Sequence, residues 1–193
     1  MSQEIEITIQ APLDKIFATA ADLTKWPEFL PHWRFNRFLS KSASGGVVKM
    51  SCSPFGLGGL GGLGITWFSE YRIDTQSREL HFLYKKRLDE REGISVVWSF
   101  QELPDDLVRV RIKHELSNQR FGFIHRLATL FASQWSLRSD AVKNLTGLKR
   151  KAEAETALRE NRHPIIAARA LLGSRSKTGS HHLLPPDSRK RTL

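Results

Sequence analysis

The chain has 193 residues, an apolar fraction of 40% and a formal net charge of +10, enough for one well-cored domain plus an appendage. A single cysteine, Cys52, excludes an internal disulfide and leaves no cysteine-based zinc site. No uninterrupted apolar run approaches the ~18–20 residues needed to span a bilayer. The acidic start, Met1-Ser-Gln-Glu-Ile-Glu, shows no secretory signal, so a cytoplasmic location is expected, with peripheral membrane contact as an option.

In chain order, Glu4 to Gln10 alternates strictly and predicts a strand with Ile5, Ile7 and Ile9 on one face. Pro12 suits the first turn of a short helix, Leu13 to Ala21. Asp22 can cap a second, which proline ends after Leu30. From Trp33 the period drops towards two, predicting strands near 33–41, 46–53, 64–74, 79–87, 94–102 and 106–117. Ser44-Gly-Gly, Asp74-Thr-Gln-Ser, Arg91-Glu-Gly and Pro104-Asp-Asp supply turn chemistry between them.

After Asn118 the period becomes helical. Ile124, Leu127, Ala128, Phe131, Trp135, Val142 and Leu145 fall on one face of a helix expected to reach about Leu158. His163-Pro164 predicts a break, with a weak extra helix over Ile165 to Leu172. From Thr156 onward eight Lys/Arg stand against Glu160 and Asp187, so +6 of the +10 lies in this stretch. Its composition predicts a basic, largely disordered tail, 156–193, behind a folded domain, 1–155. The pair His181-His182 there is no structured metal site. One sheet with short connections should be antiparallel, its apolar face covered by the long helix: an α+β domain.

The glycine-rich run 55–64 contains G-x-G-x-x-G at Gly56, Gly58 and Gly61. A dinucleotide site needs that run to enter a helix, whereas a strand follows here, so it is rejected. A hairpin tip with Leu57, Leu60 and Leu63 exposed, acting as a lid or touching a membrane, is the alternative to a loop with no role.

Four tryptophans, Trp26, Trp33, Trp67 and Trp98, fall in segments expected to pack together, where they either fill a core or line an apolar cavity. Phe29 and Leu30 follow Trp26. Met50, Phe82, Phe100 and Ile112 share the inward parity of their strands, and Phe131 and Trp135 the apolar stripe of the helix. Cys52 and Tyr84 are also inward by parity and read as core. In the strand 64–74 both faces carry aromatics, so either Trp67, Ser69 and Tyr71 or Phe68, Glu70 and Arg72 point inward.

His114 lies on the apolar side of its strand, first as a hydrogen-bonded core residue and second as an acid/base candidate. Arg138 projects from the helical stripe and must snorkel, meet an acid, or bind a ligand oxygen. No nucleophile–base pair, metal-ligand cluster or carboxylate dyad is apparent, so neither cofactor nor metal is expected.

Residues 22–33, Asp-Leu-Thr-Lys-Trp-Pro-Glu-Phe-Leu-Pro-His-Trp, residues 65–73 and residues 93–100 with 110–116 resemble the START-like, or Bet v 1-like (SRPBCC), superfamily, particularly its polyketide cyclase/dehydrase and coenzyme Q-binding proteins. The resemblance covers about residues 3–155. It implies a helix-grip fold: a curved antiparallel sheet of about seven strands wrapped around a long C-terminal helix, with two short helices after the first strand. It further implies binding of a hydrophobic small molecule, such as an isoprenoid quinone, lipid or aromatic polyketide, between sheet and helix. The alternative is a cyclase or aromatase in the same pocket, with His114 and Arg138 as base and oxyanion donor. RNA or ribosome association through the tail and the Arg109/Arg111/Lys113 stripe ranks third.

Overall fold

The structure, a computed structural model, describes residues 2–53, 64–91, 93–116 and 134–175, the last segment with side chains over 138–159. The first strand, β1 (Ser2–Gln10), alternates as its sequence dictates, with Ile9 fully buried and Ile5 and Ile7 packed against the core. Helix α1 (Leu13–Ala21) starts at Pro12 and buries Ile16, Phe17 and Ala20. Asp22 then accepts a hydrogen bond from the Thr24 amide at 3.3 Å, capping a single 3-10 turn, Leu23–Lys25. That turn leads into α2 (Trp26–Phe29), with Pro27 in its first turn.

Six strands follow: β2 (Trp33–Lys41), β3 (Gly45–Cys52), β4 (Ile65–Asp74), β5 (Glu79–Lys85), β6 (Ile94–Leu103) and β7 (Leu107–Leu116). They join β1 in one curved antiparallel sheet of order β1-β7-β6-β5-β4-β3-β2. Local chemistry sets the hairpins. The Asp74 carboxylate accepts from the Gln76 and Ser77 amides at 3.1 and 3.0 Å, and Asp105 and Asp106 take left-handed φ of 62° and 55°. Only β1–β7 joins distant segments, from Ser2 opposite Glu115 to Gln10 opposite Leu107.

Helix α3 (Gln134–Arg175) is the longest element. It runs through His163 and Pro164, where the sequence predicts a break, and Ile165 to Leu172 continue it. The helix formers Ala167, Ala168, Ala170, Leu171 and Leu172 offset the hydrogen bond that proline removes. The chain divides into two units, Met1–Glu155 and Thr156–Leu193.

Within the first unit, Ala141, Leu145, Leu148 and Ala152 form the buried stripe of α3. Val142, expected on that stripe, is instead exposed at 45%. It lies about 100° round the helix from Ala141, because the expected phase was drawn from positions 124–135, which lie outside the described residues or, for Trp135, outside the described side chains. Gly147 lets α3 approach α2: a Cβ there would sit 2.4 Å from Leu30 Cδ2. No helix among the described residues is long and apolar enough to cross a membrane.

On the outer face the Arg109/Arg111/Lys113 stripe is paired with acids. Arg111 meets Glu4 at 2.8 Å and Glu6 at 3.1 Å, and Lys113 meets Glu115 at 2.6 Å.

Candidate functional site

Strand pairing decides which side of β4 faces in. Met50 stands opposite Trp67, Val48 opposite Ser69 and Phe82 opposite Tyr71, so Trp67, Ser69 and Tyr71 join the inner face, and Phe68, Glu70 and Arg72 the outer.

Burial is deepest in the middle of that inner face: on β4 it relaxes at both ends, at Ile65 and at Ile73, and on β5 at Tyr84. On β5, Leu80 and Phe82 are buried and Tyr84 is half-buried; on β4, Ser69 is sealed, Trp67 reaches 9% exposure and Ile65 is half-buried. On β6 Trp98, Val96 and Ile94 are all buried, and on β7 Ile112 is 1% exposed whereas His114, still buried, is 8%. Pairing sets Tyr84 level with Ile94 and Ser69, and His114 level with Val96, Phe82 and Tyr71, one side-chain step further along the face.

The deep end is filled by the protein's own rings. Trp26, fully buried, stacks on Trp98 at 5.3 Å, meets Trp33 edge-on at 4.9 Å and leans on Phe82 at 5.8 Å. Its indole N–H donates to the Ala20 carbonyl at 2.9 Å. The chain of rings then continues outward, from Trp33 to Trp67 at 5.5 Å and from Trp67 to Tyr84 at 5.6 Å.

Polar groups lie beside these rings. Asn144 Oδ1 lies 2.8 Å from Trp33 Nε1 and 3.0 Å from His32 Nε2, with both His32 and Asn144 buried. An indole nitrogen only donates, which fixes the amide oxygen on that side. His32 Nε2 must then carry the proton. Burial pushes the His32 imidazole down to about 4, and Lys143 adds to the effect. His114 is likewise driven to about 4 by burial, and its Nδ1 has no hydrogen-bond partner among the described residues.

Burial raises the Asp140 carboxyl above its ordinary range, against the opposing pull of Lys143 at 3.5 Å. Burial also raises the Cys52 thiol to about 12, with Asp140 adding to the shift. The Tyr84 phenol moves up for the same reason, with Cys52 and Asp140 contributing. At neutral pH this end therefore presents a phenol, a thiol, two neutral imidazoles and one carboxyl against aromatic walls. With its pKa so raised, Cys52 is no thiolate nucleophile. No group of three metal-ligating side chains occurs among the described residues.

The sequence-derived candidates divide accordingly. Trp26, Phe29, Leu30, Trp33, Met50, Trp67, Phe82, Trp98, Phe100 and Ile112 are all packed into the core, and His114 is buried among them. Arg138 is exposed, the snorkelling outcome among the three open to it. Phe131 and the Trp135 side chain lie outside the described residues. Asp140, Asn144 and His32 were missed as site residues. The legible signal was a polar pair at i and i+4, Asp140 and Asn144, beside Ala141 and Leu145 in an apolar stripe.

A family model described as "Polyketide cyclase / dehydrase and lipid transport" matches residues 9–141. The chain belongs to this family. A protein of Streptomyces cyaneus named "Putative polyketide cyclase" is 30% identical over 104 residues, 53% of this chain and 64% of that protein, so the chain spans under two thirds of its length. Among solved structures, the Zhui aromatase/cyclase of Streptomyces sp. R1128 superposes with a TM-score of 0.66 at 16% identity, covering 81% of this chain and 95% of that one. A START superfamily protein from Mycobacterium smegmatis gives 0.57 at 10%, covering 79% and 97%. These likenesses establish the START-like helix-grip fold that this polyketide cyclase/dehydrase family member shares.

Proposed function

We propose that this chain binds a hydrophobic small molecule bearing at least one ring and one oxygen, at the Tyr84 end of the inner face. One observation carries the reading: the half-buried Tyr84 and Asp140 place polar groups beside the aromatic wall of Trp67 and Phe82. Sites for small organic ligands combine an apolar lining with a few placed polar groups. Affinity would come from desolvation at ~25 cal/mol per Å² of apolar surface, and orientation from hydrogen bonds to the phenol and imidazole. The description of the family, cyclase/dehydrase and lipid transport, supports a ligand of this class.

Native mass spectrometry of the protein from its own host, with organic extraction of what it carries, tests this. A stoichiometric ring-bearing compound supports the reading. A clean unliganded mass, together with no heat of binding on titration with oxygenated aromatics, sinks it.

A second reading, ring closure of a polyketide-type chain, is favoured by the Asp140 carboxyl and the Tyr84 phenol, which the charge of Asp140 helps to raise. The carboxylate could take a proton from a carbon acid while the phenol donates to the developing oxyanion. Replacing Asp140 by Asn would then abolish turnover of a polyketide-type substrate while leaving its binding within about threefold; turnover that survives the change rejects the role.

A further inference from the structure

We propose that the outer face of β2, β3 and β4 is a docking surface for single-stranded nucleic acid, held by Arg34, Arg37 and Lys49 beside Phe35 and Phe68. It lies on the opposite side of the sheet from Trp67 and Tyr84 and stands independently of the binding reading above. Strand register lays it out. Arg37 stands opposite Lys49, Lys49 opposite Phe68 and Phe68 opposite Lys85, one rung across β2 to β5. All four point outward, because their neighbours Asn36, Met50, Trp67 and Tyr84 take the inner face. Lys85 is buried and committed to Glu70. Arg34 reaches the same face, where its guanidinium and the Ser51 hydroxyl border Gly64. Among the described residues none of Arg34, Arg37 and Lys49 meets a carboxylate.

Like charges directly opposite on neighbouring strands repel each other. The far end of the same outer face shows the usual remedy. There Arg109 and Arg111 meet Glu6, Arg111 also meets Glu4, and Lys113 meets Glu115. On β2 and β3 two opposed cations stand without an acid, so the charge that settles them comes from a partner. The rings select its kind. Arg37 lies over the Phe35 ring, 4.8 Å from its centroid, and Lys49 lies 5.8 Å from that of Phe68. A guanidinium laid on a ring keeps its N–H edge for a phosphate, and both rings are only half-buried. Phosphates on the cations and unstacked bases on the rings are the two contacts a single strand makes. An acidic protein would use the charges and leave the rings idle.

The experiment is fluorescence anisotropy of the full chain with a labelled ten-nucleotide oligouridylate, repeated over a range of salt concentrations. The basic stretch 156–193 also attracts a polyanion, so the variants decide. Arg37→Gln with Lys49→Gln should weaken binding at least tenfold and make the slope of log affinity against log salt shallower by about 1.4, the value for two lost phosphate contacts. Phe68→Leu, which keeps an apolar side chain and loses the ring plane, should weaken it about fivefold. Arg111→Gln, at the neutralised end, should change it by less than about twofold. Near-ultraviolet circular dichroism checks folding, and Lys49→Gln alone serves as the reporter if the double variant fails to fold.

A wild-type chain that does not bind the oligonucleotide overturns the proposal. So does a folded Arg37/Lys49 variant that binds within about twofold of wild type, which assigns the affinity to residues 156–193. Displacement by poly-glutamate at equal charge, with Phe68→Leu binding as wild type does, overturns it in favour of an acidic protein. Each of these outcomes leaves the small-molecule reading untouched.

Discussion

The two ends of the inner face are built from the same residue types and do opposite things. At one end Trp26, Trp98 and Phe82 are closed around each other; at the other Trp33, Trp67 and Tyr84 form a similar run of rings that polar atoms interrupt. The difference lies in what covers them. At the closed end α1 and α2 press their own apolar residues onto the sheet, so aromatic area is spent on stability. At the other end α3 presents Asp140 and Asn144, and Asn144 accepts from the Trp33 indole.

Four measurements would break or sharpen this contrast. The largest effect is expected from Trp98→Ala at the closed end, which should cost ~3–5 kcal/mol in denaturant unfolding; a loss below ~1 kcal/mol would mean that this end is not close-packed.

Acid comes next. His32 and His114 are held near 4 in the folded chain against about 6.5 unfolded. The unfolded chain therefore gains protons first as pH falls. Their contribution is fully present above about 6.5 and is lost on the way down to about 4, a few kcal/mol in all. Asp140, with its pKa raised, works the other way, and its stabilising effect fades as pH rises. Two large shifts outweigh it, so unfolding free energy should fall between neutral pH and roughly pH 4.5. His32→Gln and His114→Gln together should flatten that profile; an unchanged slope would place the titrating groups elsewhere.

Third, Asn144→Ala leaves the Trp33 indole and the His32 imidazole without their acceptor and should cost ~2–3 kcal/mol by thermal or chemical unfolding. A neutral result would show that water replaces the amide freely. The smallest effect belongs to Tyr84→Phe. Stability should change by less than ~1 kcal/mol, while affinity for a hydroxylated aromatic falls roughly fivefold to tenfold. If stability drops and affinity does not, Tyr84 belongs to the closed end after all.

Much of this architecture was legible before any coordinates. Alternation of Ile5, Ile7 and Ile9, or of Val108, Val110 and Ile112, fixes strand faces directly, because side-chain parity has period two. Turn residues such as Asp74 and Asp105-Asp106 mark the hairpins. What pattern could not give was the inward face of β4, since Trp67 and Phe68 compete and only register against β3 and β5 separates them. The helix was harder still. Over several turns a small error in phase moves Val142 from stripe to solvent, and a stripe defined by apolar residues passes over Asp140 and Asn144. The polar half of the site is assembled by tertiary contact between residues more than a hundred positions apart, such as His32 and Asn144, and no local pattern encodes such a meeting.

The sheet order carries a consequence for how the chain folds. Every strand pair except one is a hairpin between neighbours, and such loops close cheaply. The exception, β1 with β7, joins the first ten residues to a strand about a hundred positions later. During synthesis β1 must therefore wait, with Ile5, Ile7 and Ile9 unsheltered, until β7 has emerged. Pulse-labelled hydrogen exchange should find the amides of β4 and β5 protected before those of β1; simultaneous protection would mean that the long-range joint nucleates the fold. Since His114 sits on β7 directly opposite Gln3, the strand that carries this buried imidazole gains its second neighbour only when that joint closes.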